Sequence, residues 1–391
     1  TYFLNSNSTL RFGVQSTYHV ISPGIVKGLD SESILNDIVM PNSYSFEHGA
    51  YAQNEQSIGS NLTLKYGLRL SALQNIGKAK VYNYNSNYEA EGFATYGKGE
   101  TYNTYINFEP RLGIIYQLSQ KQSIKGSYSR TVQYIQLASN AEAGTPLDIW
   151  FAASPNVKPQ LSDQWALGFF RNFFDNKLET SVEVYYKNMK NVVDFKEFAN
   201  LMLNEKLDGE LRIGTAQSYG IEFLAQFGNK KLNGWVSYTY SRAFRNIDEI
   251  NNGNRYPAPY DKPHDISVVF NYELSPKLTL SANWVYATGV PSTFPAGRYE
   301  ILGTIIPLYT GRNSYRYPDY HRLDVGISYR PRAKSGRKWE GEWNLSIYNA
   351  YNRKNAWSIN FVQDSNNPTL SYAEKTYLFS IVPAITYNFK F

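Results

Sequence analysis

The stretch from Phe379 to Phe391 reads FSIVPAITYNFKF. Phe379, Ile381, Pro383, Ile385, Tyr387, Phe389 and Phe391 fall on one face of it, and Ser380, Ala384, Thr386, Asn388 and Lys390 on the other. A repeat of two is that of a β-strand with one apolar and one polar side. An amphipathic helix would instead repeat every ~3.6 residues.

The alternation continues upstream. Leu323, Val325, Ile327 and Tyr329 oppose Asp324, Gly326, Ser328 and Arg330, and Val182, Val184 and Tyr186 oppose Ser181, Glu183 and Lys187. Leu112, Ile114 and Tyr116 oppose Arg111 and Gly113. Such segments predict about fourteen strands, near 9–22, 46–57, 62–73, 107–118, 121–134, 161–174, 177–193, 214–228, 232–244, 264–274, 277–289, 320–331, 341–362 and 375–391.

The predicted connections alternate in length. Short ones run through Gly59, 119–121, 175–177, 228–234, 275–276 and 331–341; long ones cover 23–45, 74–106, 135–160, 194–213, 245–263 and 290–319, with a smaller one at 363–374. Outer-membrane barrels pair short periplasmic turns with long extracellular loops, and their strands of ~9 to 11 residues exceed the ~5 to 6 usual in soluble sheets. The expected fold is therefore all-β: a transmembrane antiparallel up-and-down barrel wall, one domain over 1–391.

Composition agrees. Tyr, at 34, outnumbers Leu, at 31, and 21 Phe and 7 Trp accompany it. Barrels use rings in bulk for the girdles at their two membrane interfaces. No run approaches the ~18 apolar residues of a spanning helix. The absence of cysteine excludes disulfides and thiolate chemistry, and the +6 net charge is spread rather than clustered, so no nucleic-acid surface is expected.

Charges keep to the polar phase. Arg111, Lys125, Glu183, Glu222, Asp265 and Asp324 all fall opposite the apolar residues of their segments and are expected to face the lumen. At the midplane of a bilayer a lipid-facing charge costs ~2 to 4 kcal/mol.

Several short stretches, in this order and at this spacing, resemble the C-terminal barrel of a TonB-dependent outer-membrane transporter of Gram-negative bacteria: EPRLGIIY (109–116), GSYSRTVQ (126–133), SYGIE (218–222), DKPHD (261–265), HRLDVGISY (321–329), YNAYNRKN (348–355) and the terminal YNFKF. The resemblance implies a 22-stranded barrel filled by an N-terminal plug that contacts the TonB complex. Plug and first strands are then expected upstream of Thr1, which is preceded by no secretory signal in this sequence. It also implies contact with outer-membrane lipid, with the barrel-assembly machinery through the terminal aromatic Phe391, and room for a surface lipoprotein partner.

No enzyme signature is present. The histidines His19, His48, His264 and His321 match no metal spacing, and no GxSxG elbow or other nucleophile motif occurs. Neither metal nor cofactor is expected. The long loops combine rings and guanidinium groups, a chemistry suited to amphipathic or anionic ligands. Trp150, Phe151, Arg298, Tyr299, Tyr315 and Arg316 are the candidate substrate-binding residues.

The expected function is TonB-dependent import of a scarce solute of the siderophore, cobalamin, haem, glycan or peptide class. Two alternatives stand beside it: a complete fourteen-stranded passive channel, and a transporter-like barrel serving as the structural subunit of a surface complex.

Overall fold

In the computed structural model, which describes all residues except 29–37, 139–148, 202, 302–303, 332–339, 365, 368–369 and 391, the alternating segments assemble into one antiparallel sheet. Its path runs through β1 (Tyr2–Asn5), β2 (Ser8–Ile21), β3 (Ser43–Ile58), β4 (Leu62–Ile76), β5 (Thr101–Ser119), β6 (Gln122–Gln133), β7 (Gln160–Phe173) and β8 (Leu178–Phe195). It continues through β9 (Leu211–Gly228), β10 (Leu232–Asn246), β11 (His264–Ser275), β12 (Leu278–Ala287), β13 (Tyr320–Tyr329), β14 (Glu340–Tyr348) and β15 (Val382–Lys390). Every strand pairs with its chain neighbour, the up-and-down order. Tyr256–Pro257, paired to the end of β10, is the sixteenth strand of the sheet.

All fourteen expected wall strands are present, and β1 adds a fifteenth, too short for alternation to reveal it. The two C-terminal segments are shorter in the wall than expected. After Tyr348 the chain turns at Asn349, whose φ is +55° and whose side chain closes on Arg353, accepting its N–H and donating to its carbonyl, both at 2.9 Å. Ser358–Gln363 and Ser371–Thr376 then form a separate hairpin in the loop before β15 returns to the wall.

Tight turns join alternate strands. Gly59, between β3 and β4, takes φ +61°, and Phe174, Asp175 and Asn176, between β7 and β8, are all left-handed. At the opposite end the connections are long and carry hairpins of their own, such as Ala79–Tyr84 with Ala90–Tyr96. Long loops thus gather at one end, which barrel architecture assigns to the extracellular side.

Register lines up the chemistry of each face. On the inward face Lys125, Gly168, Glu183, Glu222, Thr239 and Asp265 are successive partners across β6 to β11. Outward, Leu112, Tyr128, Trp165, Tyr186 and Tyr219 form one such row across β5 to β9. The wall buries little of its outer face: Leu167 is 55% exposed and Trp165 45%, as a surface made for lipid requires. Buried apolar clusters lie instead among the long loops and the strand ends that carry them, including Phe151, Val157, Phe195, Leu207 and Leu211.

Candidate functional site at the extracellular mouth

The mouth is organised around carboxylates that tie loops together. Asp194 owes its position to a bulge. Along β8 the even residues Val182, Val184 and Tyr186 face outward, a phase that would point residue 194 at lipid. Between Lys190 and Val192 the register slips, with Asn191 at φ +57°, and the extra residue reverses the faces. Asp194 therefore points inward. Its Oδ2 accepts from Arg245 Nη1 at 3.0 Å and from Tyr256 Oη at 2.7 Å. Its Oδ1 accepts the Phe195 N–H at 2.8 Å and lies 3.5 Å from Arg312 Nη1. Burial and the Asp194 charge together push the Tyr256 hydroxyl far above its ordinary range, so Tyr256 remains a donor at any physiological pH.

A second knot forms at Asp261, which is 1% exposed. The Ala243 N–H donates to Oδ1 at 2.6 Å and Arg242 Nε at 3.3 Å, and Arg316 Nη2 engages Oδ2. Arg316 Nη1 also donates to the carbonyls of Asp261 and Gly289, at 2.8 and 2.9 Å. Arg212 is the third tie: it binds Glu249, donates to the Leu211 carbonyl at 2.8 Å and lies 3.7 Å over the Tyr88 ring.

The third carboxylate is Asp208, in the short 3-10 turn Leu207–Glu210. Ser154 Oγ and Asn156 Nδ2 donate to its Oδ2 at 2.7 and 3.0 Å, and Asn156 also reaches the Tyr82 carbonyl at 3.0 Å. Burial, with no cationic partner among the described residues, raises the Asp208 pKa, an effect the two neutral donors only partly offset. Nearby Tyr84 is pushed up to about 12, by burial first and then by the Asp208 charge.

The predicted binding residues divide by environment. Trp150 and Phe151 share the Ile149–Ala152 strand of a loop hairpin, yet Trp150 is 55% exposed while Phe151 is packed inside the apolar cluster with Phe195 and Leu211. Tyr299 and Tyr315 are exposed, and Tyr315 stacks on Phe294 at 6.1 Å. Arg298 reaches Ser371 of the next loop. Arg316 is committed to Asp261 and Gly289. Trp150, Tyr299 and Tyr315 are therefore the members of the set with open rings, and no contact joins Trp150 to the other two among the described residues.

The residues expected to face the lumen lie on the strand face opposite the apolar row. Lys125, Glu183, Glu222 and Asp265 share one row, Lys125 with its ammonium 3.8 Å from the Phe170 ring centroid. Arg111 lies 3.7 Å from Glu109, which Arg69 approaches at 3.6 Å from the other side. Asp324 receives Arg322 Nη2 at 2.9 Å and the Asn349 N–H at 2.9 Å. Phe391 lies outside the described residues. Sequence reasoning missed Asp194 and Arg245, a pair that ties the long-loop ends of β8 and β10. Phase extrapolated along β8 puts residue 194 on the wrong face, so only the αL-tolerant Asn191 could have signalled the bulge.

His264 and His321, at the starts of β11 and β13, lie on the outward phase, paired with Tyr240 and Tyr286. Tyr238 Oη lies 3.0 Å from His264 Nδ1 and Tyr351 Oη 2.8 Å from His321 Nδ1. Among the described residues no group of three or more His, Asp or Glu side chains is arranged to hold a metal ion.

Comparison with known proteins follows the same lines. The protein's wall resembles that of the ferric-catecholate import receptor Fiu of E. coli K12 in its closed form, at 15% identity and TM-score 0.60 over 97% of this chain and 52% of that one. The FrpB iron transporter of Neisseria meningitidis gives 14% identity and TM-score 0.61, over 99% and 53%. The ferripyoverdine receptor of the Pseudomonas aeruginosa outer membrane, bound to ferripyoverdine, gives 13% and 0.61, over 100% and 46%. The chain thus spans about half the length of these structures. No curated protein sequence matches it. The family model described as TonB dependent receptor-like, beta-barrel matches residues 2–352, a family of receptors and not of enzymes. The chain accordingly belongs to the TonB-dependent receptor β-barrel family of Gram-negative outer membranes.

Proposed function

We propose that the chain supplies the wall and ligand-capturing loops of an energised importer, with an iron chelate of the siderophore class as its solute. The family match over residues 2–352 carries this proposal. The iron-transport receptors named among its structural likenesses support the solute class. Loops tied to one another through Asp194, Asp208 and Asp261 suit a receptor that binds before it transports, since a pre-ordered site loses less entropy on binding. Exposed rings of Trp150, Tyr299 and Tyr315 present flat apolar faces to a catecholate or other aromatic chelator. The inward row of charged residues keeps the lumen wet or matched to a polar plug. Energy would enter through a plug and the TonB complex.

Uptake of radiolabelled ferric siderophores by cells carrying or lacking the full-length gene tests the proposal. Gene-dependent uptake that stops when the proton-motive force is collapsed supports it. Uptake that persists after the collapse and scales linearly with solute concentration would mark a passive channel and overturn it.

A further inference from the structure

The outward wall is not flat around Gly126. Gly126 of β6 lies between Ile114 and Leu167 on a single inter-strand row, and there the wall is indented by a groove of about 560 Å³ lined by Leu112, Ile114, Tyr128, Trp165, Leu167 and Val184. Backbone geometry does not demand this glycine. A Cβ built on it would meet nothing closer than Leu167 Cδ1 at 3.9 Å, so the effect of the missing side chain is to leave room beside two apolar neighbours. A void of this shape on a lipid-facing wall fits a linear hydrocarbon.

Toward the long-loop end of the groove the same outward phase carries charge. Arg130 is two residues beyond Tyr128, and Lys190 four beyond Tyr186. Arg130 Nε and Nη2 hold Asp163 at 2.8 and 2.9 Å, and Tyr128 Oη donates to the same carboxylate at 2.7 Å. That network fixes the guanidinium just beyond Tyr128, on the long-loop side of the groove, with no hydrogen bond from Nη1 among the described residues. Lys190 is exposed and makes no ion pair among the described residues. Arg130 and Lys190 against Asp163 leave one positive charge uncompensated above a row of outward rings, the level at which headgroups sit.

We propose that this groove binds one phosphorylated glycolipid of the outer leaflet, an acyl chain filling the notch at Gly126 while a phosphate engages Arg130 and Lys190. Arginine suits phosphate because its planar fork offers parallel donors. The position of the charges selects the leaflet, since they lie at the long-loop end and not at the tight turns.

The test is equilibrium binding of tritiated diphosphoryl lipid A to the full-length protein in maltoside micelles, with heat-modifiable migration confirming the folded barrel in every variant. Saturable binding near one per chain is expected. It should weaken at least tenfold in Arg130→Gln/Lys190→Gln and in Gly126→Leu, and by less in Gly126→Ala, for which space exists. The Arg130→Lys/Lys190→Arg exchange should retain most of it. Equal binding by wild type and all variants would overturn the site. Loss in the charge variant alone, or complete competition by millimolar inorganic phosphate, would overturn the acyl-chain half and reduce it to an anion contact.

Discussion

Asp194 and Arg245 meet at 3.0 Å in the mouth although 51 residues separate them in sequence, and both are largely removed from solvent. Tyr256 and Arg312 converge on the same carboxylate, so one side chain couples the loop after β8, the loop after β10 and the loop after β12. Arg245 Nε has no hydrogen-bond partner among the described residues, which leaves the guanidinium dependent on the bond from Nη1 to Asp194.

Replacing Asp194 by Asn keeps the shape but leaves Arg245 without its carboxylate and Arg312 with only the Phe195 carbonyl, at 2.8 Å, among the described residues. Breaking a buried pair from one side costs roughly 3 to 5 kcal/mol. The expected result is faster protease cleavage within 245–263 and 290–319 at the surface of intact cells, with barrel migration on unheated gels unchanged. Cleavage at the wild-type rate would mean that the loops are held by other contacts.

Opposite faces of one strand make a sharper test of the wall. Val184 is outward and 43% exposed, and Glu183, beside it, is inward. Val184→Arg should cost ~2 to 4 kcal/mol of barrel stability if the residue lies near the bilayer midplane. Glu183→Gln should cost nothing, and should gain a few tenths, because Glu183 is directly opposite Glu222 and like charges across a strand pair repel. Denaturant titration of the refolded barrel in lipid vesicles measures both. Equal losses would show that the assigned phase is wrong.

Trp150 and Phe151 separate ligand contact from loop packing. Phe151 packs on Val157, Phe195, Leu207 and Leu211, so Phe151→Ala should destabilise the loop by about 3 to 5 kcal/mol and expose it to protease. Trp150→Ala removes an exposed ring and should leave protease resistance intact. If the open rings bind the solute, Trp150→Ala lowers its affinity by a factor of several, read as the concentration giving half-maximal binding to whole cells.

What was legible in the sequence was whatever repeats locally. Fourteen wall strands announce themselves because each must alternate to satisfy lipid on one side and water on the other, and the gathering of Lys125, Glu183, Glu222 and Asp265 on one strand face follows from that phase alone. Strand ends were harder: nothing in the alternation shows that Asn349 turns the chain out of the wall after Tyr348. Long-range ties were illegible. The guanidinium of Arg316 reads as a ligand group until Asp261, 55 residues earlier, is seen to occupy it, and Asp194 reads as outward until the bulge at Asn191 is known.

Asp208 gives the mouth a pH dependence whose sign can be worked out. Its folded pKa is raised above the ordinary carboxylate value, chiefly by burial. A raised carboxyl binds more protons in the ordered loop than in the released one, so stability falls as pH rises from the ordinary carboxylate range through the folded value. Below that window the neutral carboxyl carries no penalty; above it the full penalty is present, held to a modest size because Asp208 is not sealed from solvent. Acidification toward pH 4 should therefore tighten the junction between Ser154, Asn156 and the Leu207–Glu210 turn. Hydrogen exchange at the Asn156 and Val157 amides, compared at pH 4 and pH 7 after correction for intrinsic rates, measures it. Asp208→Asn, which retains an acceptor for Ser154 without the charge, should remove the pH dependence and hold the junction in its acid-like state throughout. A variant that still loosened with rising pH would place the titrating group elsewhere.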